Sequence, residues 1–229
     1  MPSELGTVIV TGGASGLGAA VAHAVDEAGG RPVVLDLHPP PNGFPARRVD
    51  LADTRAAESA VDDVVREHGD LRGVVTAAGI DACGQLGEVD AEAWERVVAV
   101  NLLGTAAVVR AALPHLERTS GRVVTVASTL GLKAVSDATA YCASKFGVVG
   151  FTRALAAETA GRVGVTLLVP GGMRTRFFDG RPEQYKPAPD ANLAEPWEIA
   201  HAVVFALGRP AGVELRELVI AADTEPSWP

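Results

Sequence analysis

Six short apolar runs recur along the chain, at residues 7–10, 32–35, 73–76, 122–127, 164–169 and 218–221. None alternates with polar positions, so each is predicted to be a strand buried on both faces. Between the runs, apolar residues follow a helical period. Leu17, Val21, Ala24, Val25 and Ala28 form one such stripe, and Ala57, Ala60, Val61, Val64 and Val65 form another. Strands and helices therefore alternate, which predicts a doubly wound α/β fold of Rossmann type: one parallel sheet of about seven strands with helices on both faces. No linker, repeat or low-complexity tract divides residues 1–229, so a single domain is expected. Residues 173–195 resist assignment because Pro182, Pro187 and Pro189 interrupt any regular element. Long irregular segments in compact domains often serve as lids.

The first strand runs into a glycine-rich turn containing Gly12, Ser15, Gly16, Leu17 and Gly18, and a helical pattern begins at once. Glycines let backbone approach a pyrophosphate, and a helix N-terminus offers free N–H groups and a favourable dipole. A tight strand-to-helix turn also needs glycine for steric reasons alone. Asp36 ends the second strand 18 residues beyond Gly18, close to the separation of about 20 residues expected for a carboxylate that binds an adenosine ribose. Further on, Tyr141 and Lys145 share one helix face. Such a pair is often an amphipathic surface feature, but an ammonium beside a phenol also favours the ionised phenol. Ser128 ends a strand thirteen residues before Tyr141. Serine there either caps a turn or presents its hydroxyl to a ligand at the carboxyl edge of the sheet.

Taken together, the glycine turn, the Ser128 to Tyr141 spacing and the YxxxK pair resemble the short-chain dehydrogenase/reductase family, over essentially the whole chain. The resemblance implies an oxidoreductase acting on an alcohol or ketone, with Asn101, Ser128, Tyr141 and Lys145 as catalytic residues. Tyr141 is then the general acid/base, Ser128 bonds the substrate oxygen, Lys145 binds ribose and lowers the phenol pKa, and Asn101 holds a water. It also implies that Asp50 and Leu51 contact adenine, and that Pro170, Gly171, Met173 and Thr175 lie at the nicotinamide. Two departures stand out. Thr76-Ala77-Ala78-Gly79 replaces the family's Asn-Asn-Ala-Gly, although Ala78 and Gly79 remain for the cofactor, and the end of the chain lacks the family's Asp-Gly-Gly, which puts its usual subunit contact in doubt. The expected cofactor is NAD, because Asp36 repels a 2′-phosphate and neither Leu37 nor Ser15 offers a compensating charge. Two other readings are a non-catalytic dinucleotide sensor and an extended-type sugar-nucleotide epimerase, the second of which needs a larger C-terminal domain.

Composition narrows the remaining choices. A net charge of -8 with scattered basic residues argues against nucleic acid as a partner. The longest apolar stretch, residues 97–109, is broken by Asn101 and falls short of the roughly 20 residues of a membrane span, so no membrane partner is expected. Cys83 and Cys142 form no pairing pattern, and the five histidines lack metal-ligand spacing. No metal is expected, and with no signal-like N-terminus the expected setting is cytoplasmic. The helix from Tyr141 to about Thr159 carries Phe146, Val149, Gly150, Ala154 and Ala157 on its other faces, which predicts a homodimer or homotetramer. Residues 129–140 and 173–195 are expected to wall the substrate pocket. Leu130, Leu132, Val135, Met173, Phe177 and Phe178 would make it largely apolar. Arg174, Arg176, Arg181 and Lys186 could bind a carboxylate or phosphate, but charged lid residues usually face water, so a mostly apolar secondary alcohol or ketone is expected.

Overall fold

The computed structural model describes residues 5–228. Seven parallel strands form one sheet in the order β3-β2-β1-β4-β5-β6-β7. They are β1 (Thr7–Thr11), β2 (Arg31–Asp36), β3 (Ala46–Arg48), β4 (Leu71–Thr76), β5 (Arg122–Val126), β6 (Gly164–Pro170) and β7 (Glu217–Ile220). All six apolar runs are strands. The seventh, β3, has no apolar run to reveal it: it is a three-residue edge strand, Ala46-Arg47-Arg48, paired only with β2.

Side chains on a strand alternate between faces, and helices cover both. Val8, Val10, Val34, Val75, Val124 and Leu168 pack against α1 (Gly16–Glu27) and α6 (Pro196–Leu207). Ile9, Val33, Leu35, Val74, Val123 and Val165 point the other way, toward α2 (Thr54–His68), α4 (Thr105–Thr119) and α5 (Thr139–Glu158). With apolar layers on both faces, the central strands are buried along nearly all of their length, hence the unbroken apolar runs. Asp53 caps α2 by accepting the Arg55 and Ala56 N–H groups at 3.1 and 3.0 Å, a contact that contributes about 1 kcal/mol.

Asn101 interrupts the apolar stretch but not the helix that carries it: α3 (Ala91–Val98) passes through a π-helical segment, Ala99–Gly104, directly into α4. The run Ala91–Thr119 is thus long and apolar enough to cross a membrane by length and composition, with half of its most apolar stretch buried inside the fold. Wider π turns are often found at functional sites. Here the widening coincides with Asn101, which is 1% exposed.

Strand order reverses between β1 and β4, and in such sheets the ligand crevice opens at the carboxyl ends of the strands flanking the reversal. The loops that leave β1, β4, β5 and β6 converge there. Residues 173–195 form the largest of them, with two short 3₁₀ turns, Arg176–Phe178 and Glu183–Tyr185. Its ends are tied at the base, where the Arg174 N–H donates to Ala194 O and the Ala194 N–H to Gly172 O, at 2.9 and 3.0 Å.

Candidate active site

The crevice is a single cavity of about 1160 Å³. One end lies at the turn after β1. Gly12 has φ +71°, and a Cβ on it would stand 2.7 Å from the Ala78 backbone, so the turn packs directly on the loop after β4. Thr11 Oγ1 secures that contact by accepting the Ala78 N–H at 3.1 Å. Gly16, at φ +53°, opens α1 beneath Thr175. Ser15 precedes α1 without capping it through its side chain, so the N–H groups of the first turn stay open to an anion. The Asp36 carboxylate closes this end, held by the Ala14 and His38 N–H groups at 3.0 Å each. Beside it, Asp50 accepts the Ala52 N–H at 3.0 Å and is paired with Arg96 at 2.9 Å.

Gly12, Ser15, Gly16, Leu17, Gly18, Asp36, Asp50, Leu51, Ala78, Gly79, Pro170, Gly171, Met173 and Thr175 all line this cavity, together with Ser128, Tyr141 and Lys145. Asn101 does not line it. Its Oδ1 accepts the Ile80 N–H at 2.9 Å, while its Nδ2 donates to Ile80 O at 2.9 Å and to Ser144 Oγ at 3.0 Å. The amide clamps the loop after β4 against α5. A Cβ on Gly79 would lie 3.6 Å from Lys145 Nζ and 3.7 Å from Asn101 Oδ1, so bare backbone separates those two groups.

At the far end, Ser128 Oγ accepts the Leu130 N–H at 3.1 Å, and Ser128 and Tyr141 line the same cavity. Tyr141 is 9% exposed. Burial pushes its pKa up to about 12, against the influence of Ser128, which lowers it. Burial likewise pushes the Lys145 ammonium down to about 8; Nζ donates to Val126 O at 2.8 Å and lies 5.6 Å from the centre of the phenol ring. Burial is the largest influence on both groups.

The lid folds over this end. Phe177 packs on Tyr141 at 5.6 Å between ring centres, and Phe178 meets Phe177 edge-on at 5.5 Å. Leu130, Val135 and Met173 also line the cavity, but Leu132 instead turns into the core against Ala127 and Val148. Of the four basic lid residues, Arg174 and Lys186 pair with Glu195 and Glu183 near the surface, and Arg176 is exposed at the rim. Arg181 overturns the expectation of solvent exposure. It is only 17% exposed and is paired inside the cavity with Asp81 at 2.6 Å.

Sequence reasoning missed three parts of this wall. Asp81 carries no motif, and its partner lies 100 residues away. Cys83 donates to Asp81 at 3.2 Å, and burial, with Asp81, pushes its thiol up to about 11, so it stays protonated. The end of the chain contributes the third. Glu225 accepts the Gly172 N–H at 2.7 Å, and Ser227 bonds both Glu225 and Thr129, at 2.5 and 2.6 Å. Against burial, which raises it, hydrogen bonds from Ser227 and Gly172 hold the Glu225 carboxyl below its ordinary value. The tail thus clasps the loops after β5 and β6 of its own chain.

The sequence family described as short chain dehydrogenase matches residues 6–186. The chain belongs to that family. It is an oxidoreductase acting on CH–OH groups. Among its relatives, the D-threitol dehydrogenase of Mycolicibacterium smegmatis is 35% identical over 217 residues, covering 86% of this chain and 84% of the relative. The 2-(S)-hydroxypropyl-CoM dehydrogenase 3 of Xanthobacter autotrophicus is 33% identical over 232 residues, covering 89% and 90%. The fold is also that of the ligand-free aldohexose dehydrogenase of Thermoplasma acidophilum, with a TM-score of 0.85 at 24% identity, covering 96% of this chain and 95% of that one. Dehydrogenases of the family use NAD or NADP. The open N–H groups at α1, the bare Gly12 and Gly16 backbone and the carboxylate at Asp36 suit a dinucleotide.

Proposed function

We propose that the protein is an NAD-dependent dehydrogenase that interconverts a secondary alcohol and a ketone, with Tyr141 moving the proton. The observation that carries this reading is the setting of the Tyr141 hydroxyl. It shares the wall of one cavity with Ser128, with Lys145 buried beside its ring, and that cavity begins at the glycine turn.

Bound NAD supplies a nicotinamide ring that takes up or gives a hydride. The turn from Gly12 to Gly18 would hold the pyrophosphate, Asp36 the adenosine ribose, Asp50 and Leu51 the adenine, and Ala78, Gly79, Pro170, Gly171, Met173 and Thr175 the rest. Tyr141 gives its proton to a ketone oxygen, or takes one from an alcohol. Ser128 already accepts from Leu130 and keeps its own proton for the substrate oxygen, where negative charge develops. Lys145 would hold the ribose hydroxyls of the nicotinamide half. Asn101 is a positioning residue, fixing the loop that carries Gly79 and Ile80 to the helix that carries Tyr141.

A pH profile tests the proton role. Oxidation needs Tyr141 without its proton, and burial makes that form scarce at neutral pH. We expect kcat/KM for alcohol oxidation to rise steadily from about pH 6 to about pH 9, while that for ketone reduction, which needs the protonated phenol that prevails throughout, stays level over the same range. A flat profile for oxidation would remove the proton from the slow step and contradict the assignment.

Homo-oligomerisation belongs to the same reading. Val149 is buried in the core, but Phe146 is 44% exposed, and Gly150, Ala154 and Ala157 continue an uncovered stripe along α5. An apolar stripe of this kind suits a two-fold contact with a second copy. Light scattering at micromolar concentration should give at least a dimer, and Phe146→Glu should lower the mass. A monomeric wild type would contradict it.

A further inference from the structure

The substrate end of the cavity holds an ion pair that the proton relay does not use. Asp81, 5% exposed, comes from the loop after β4, and Arg181, 17% exposed, comes from the lid. The guanidinium stands over both lid phenylalanines, 4.9 Å from the centre of Phe177 and 4.7 Å from that of Phe178. Phe177 in turn packs on Tyr141. Both charged groups line the cavity alongside Ser128 and Tyr141. Stability alone does not call for such a pair, since apolar side chains of similar volume serve a buried site as well or better.

Its hydrogen-bonding capacity is only partly used. The carboxylate accepts from the Ala82 N–H at 2.7 Å, the Cys83 thiol at 3.2 Å and Arg181 Nη2 at 2.6 Å. That leaves roughly one of its four lone-pair sites. On Arg181, Nη2 donates to Asp81 and Nη1 to Tyr185 O at 3.3 Å, while the buried Nε has no partner among the described residues. The pair as a whole is uncharged, with donors and an acceptor left over. A carboxylate or phosphate meets Asp81 along with Arg181, and an ammonium meets Arg181 along with Asp81. A ketone or ether satisfies the donors alone. A hydroxyl accepts from the guanidinium and donates to the carboxylate at once.

We propose that Asp81 and Arg181 read a second hydroxyl on the substrate, so that the reaction acts on an uncharged diol or polyol in preference to a monoalcohol or a hydroxy acid. The inference rests on the dehydrogenase reading above. A site built to bond a hydroxyl discriminates strongly against the analogue that lacks it, because its polar groups are then left unmatched out of water.

The test compares kcat/KM for cyclohexanol, trans-1,2-cyclohexanediol and 4-hydroxycyclohexanecarboxylate. It uses the wild type and Asp81→Leu/Arg181→Met, which removes both charges together and leaves neither stranded. The wild type should prefer the diol to cyclohexanol by at least about tenfold. The double variant should lose that preference, turning over the diol and cyclohexanol within about twofold of each other, while keeping its NAD affinity. Asp81→Asn, which retains an acceptor for Ala82, should narrow the preference without the double change. A wild type that turns over cyclohexanol as well as the diol, or a preference surviving in both variants, overturns the proposal. So does a preference for the carboxylate, which makes the pair an anion site. Reduction of no cofactor by any of the three, with NAD bound, overturns the dehydrogenase reading itself and is told apart in this way.

Discussion

Replacing Tyr141 by Phe should lower turnover on the order of 10³-fold, within the range that a positioned acid or base contributes, while the fold and NAD affinity stay near those of the wild type. The ring keeps its packing on Phe177. Ser128 Oγ keeps the Leu130 N–H, so losing the phenol strands no buried acceptor. The stability cost is then at most that of one ordinary hydrogen bond, about 1 kcal/mol. A defect in folding or cofactor binding is thereby separated from a defect in proton transfer. Single-turnover kinetics alongside an NAD titration and a thermal melt check all three. Near wild-type turnover in the variant would move the proton to another group. An equal loss of NAD affinity would make Tyr141 a binding residue only.

The second large effect is in the choice of cofactor. NADP should bind on the order of 100-fold more weakly than NAD, because a phosphate about 5 Å from the Asp36 carboxylate meets a repulsion of about 3 kcal/mol per charge at an effective dielectric near 20. Asp36 is held in place by the Ala14 and His38 N–H groups, so it does not swing clear at low cost. The arginine on this part of the wall, Arg96, is tied to Asp50. Asp36→Asn keeps an amide oxygen for one of those N–H groups and removes the charge, so it should bring the two cofactors to within about tenfold of each other. Calorimetric titration with both cofactors decides the matter, and tighter NADP binding by the wild type would refute it.

What the sequence disclosed about this site follows from how local each signal is. The glycine turn, Asp36, Ser128, Tyr141 and Lys145 each sit where a strand ends or a helix begins, and a parallel sheet carries every such point to one edge. Chain order alone therefore brought them together. The pair Asp81 and Arg181 was hidden because it joins two irregular loops 100 residues apart, and lone charged residues in loops ordinarily face water. Orientation within an element was similarly out of reach. Leu132 and Val149 are as apolar as their neighbours, and only the packing around Ala127 and Val148 turns them inward. Asn101 looked like a break in an apolar stretch, yet the π-helical segment carries the helix past it. Neither β3, with its two arginines, nor the Glu225 and Ser227 clasp has a periodicity to announce it.

The central claim is that this cavity performs dehydrogenation. The most direct measurement mixes the wild type and NAD with a panel of secondary alcohols at alkaline pH and follows the absorbance of reduced cofactor. The expected result is a rise proportional to protein concentration and absent from the Tyr141→Phe variant. Saturable binding of NAD with no reduction by any alcohol in the panel would contradict it, and would leave a protein that holds the dinucleotide as a sensor or scaffold.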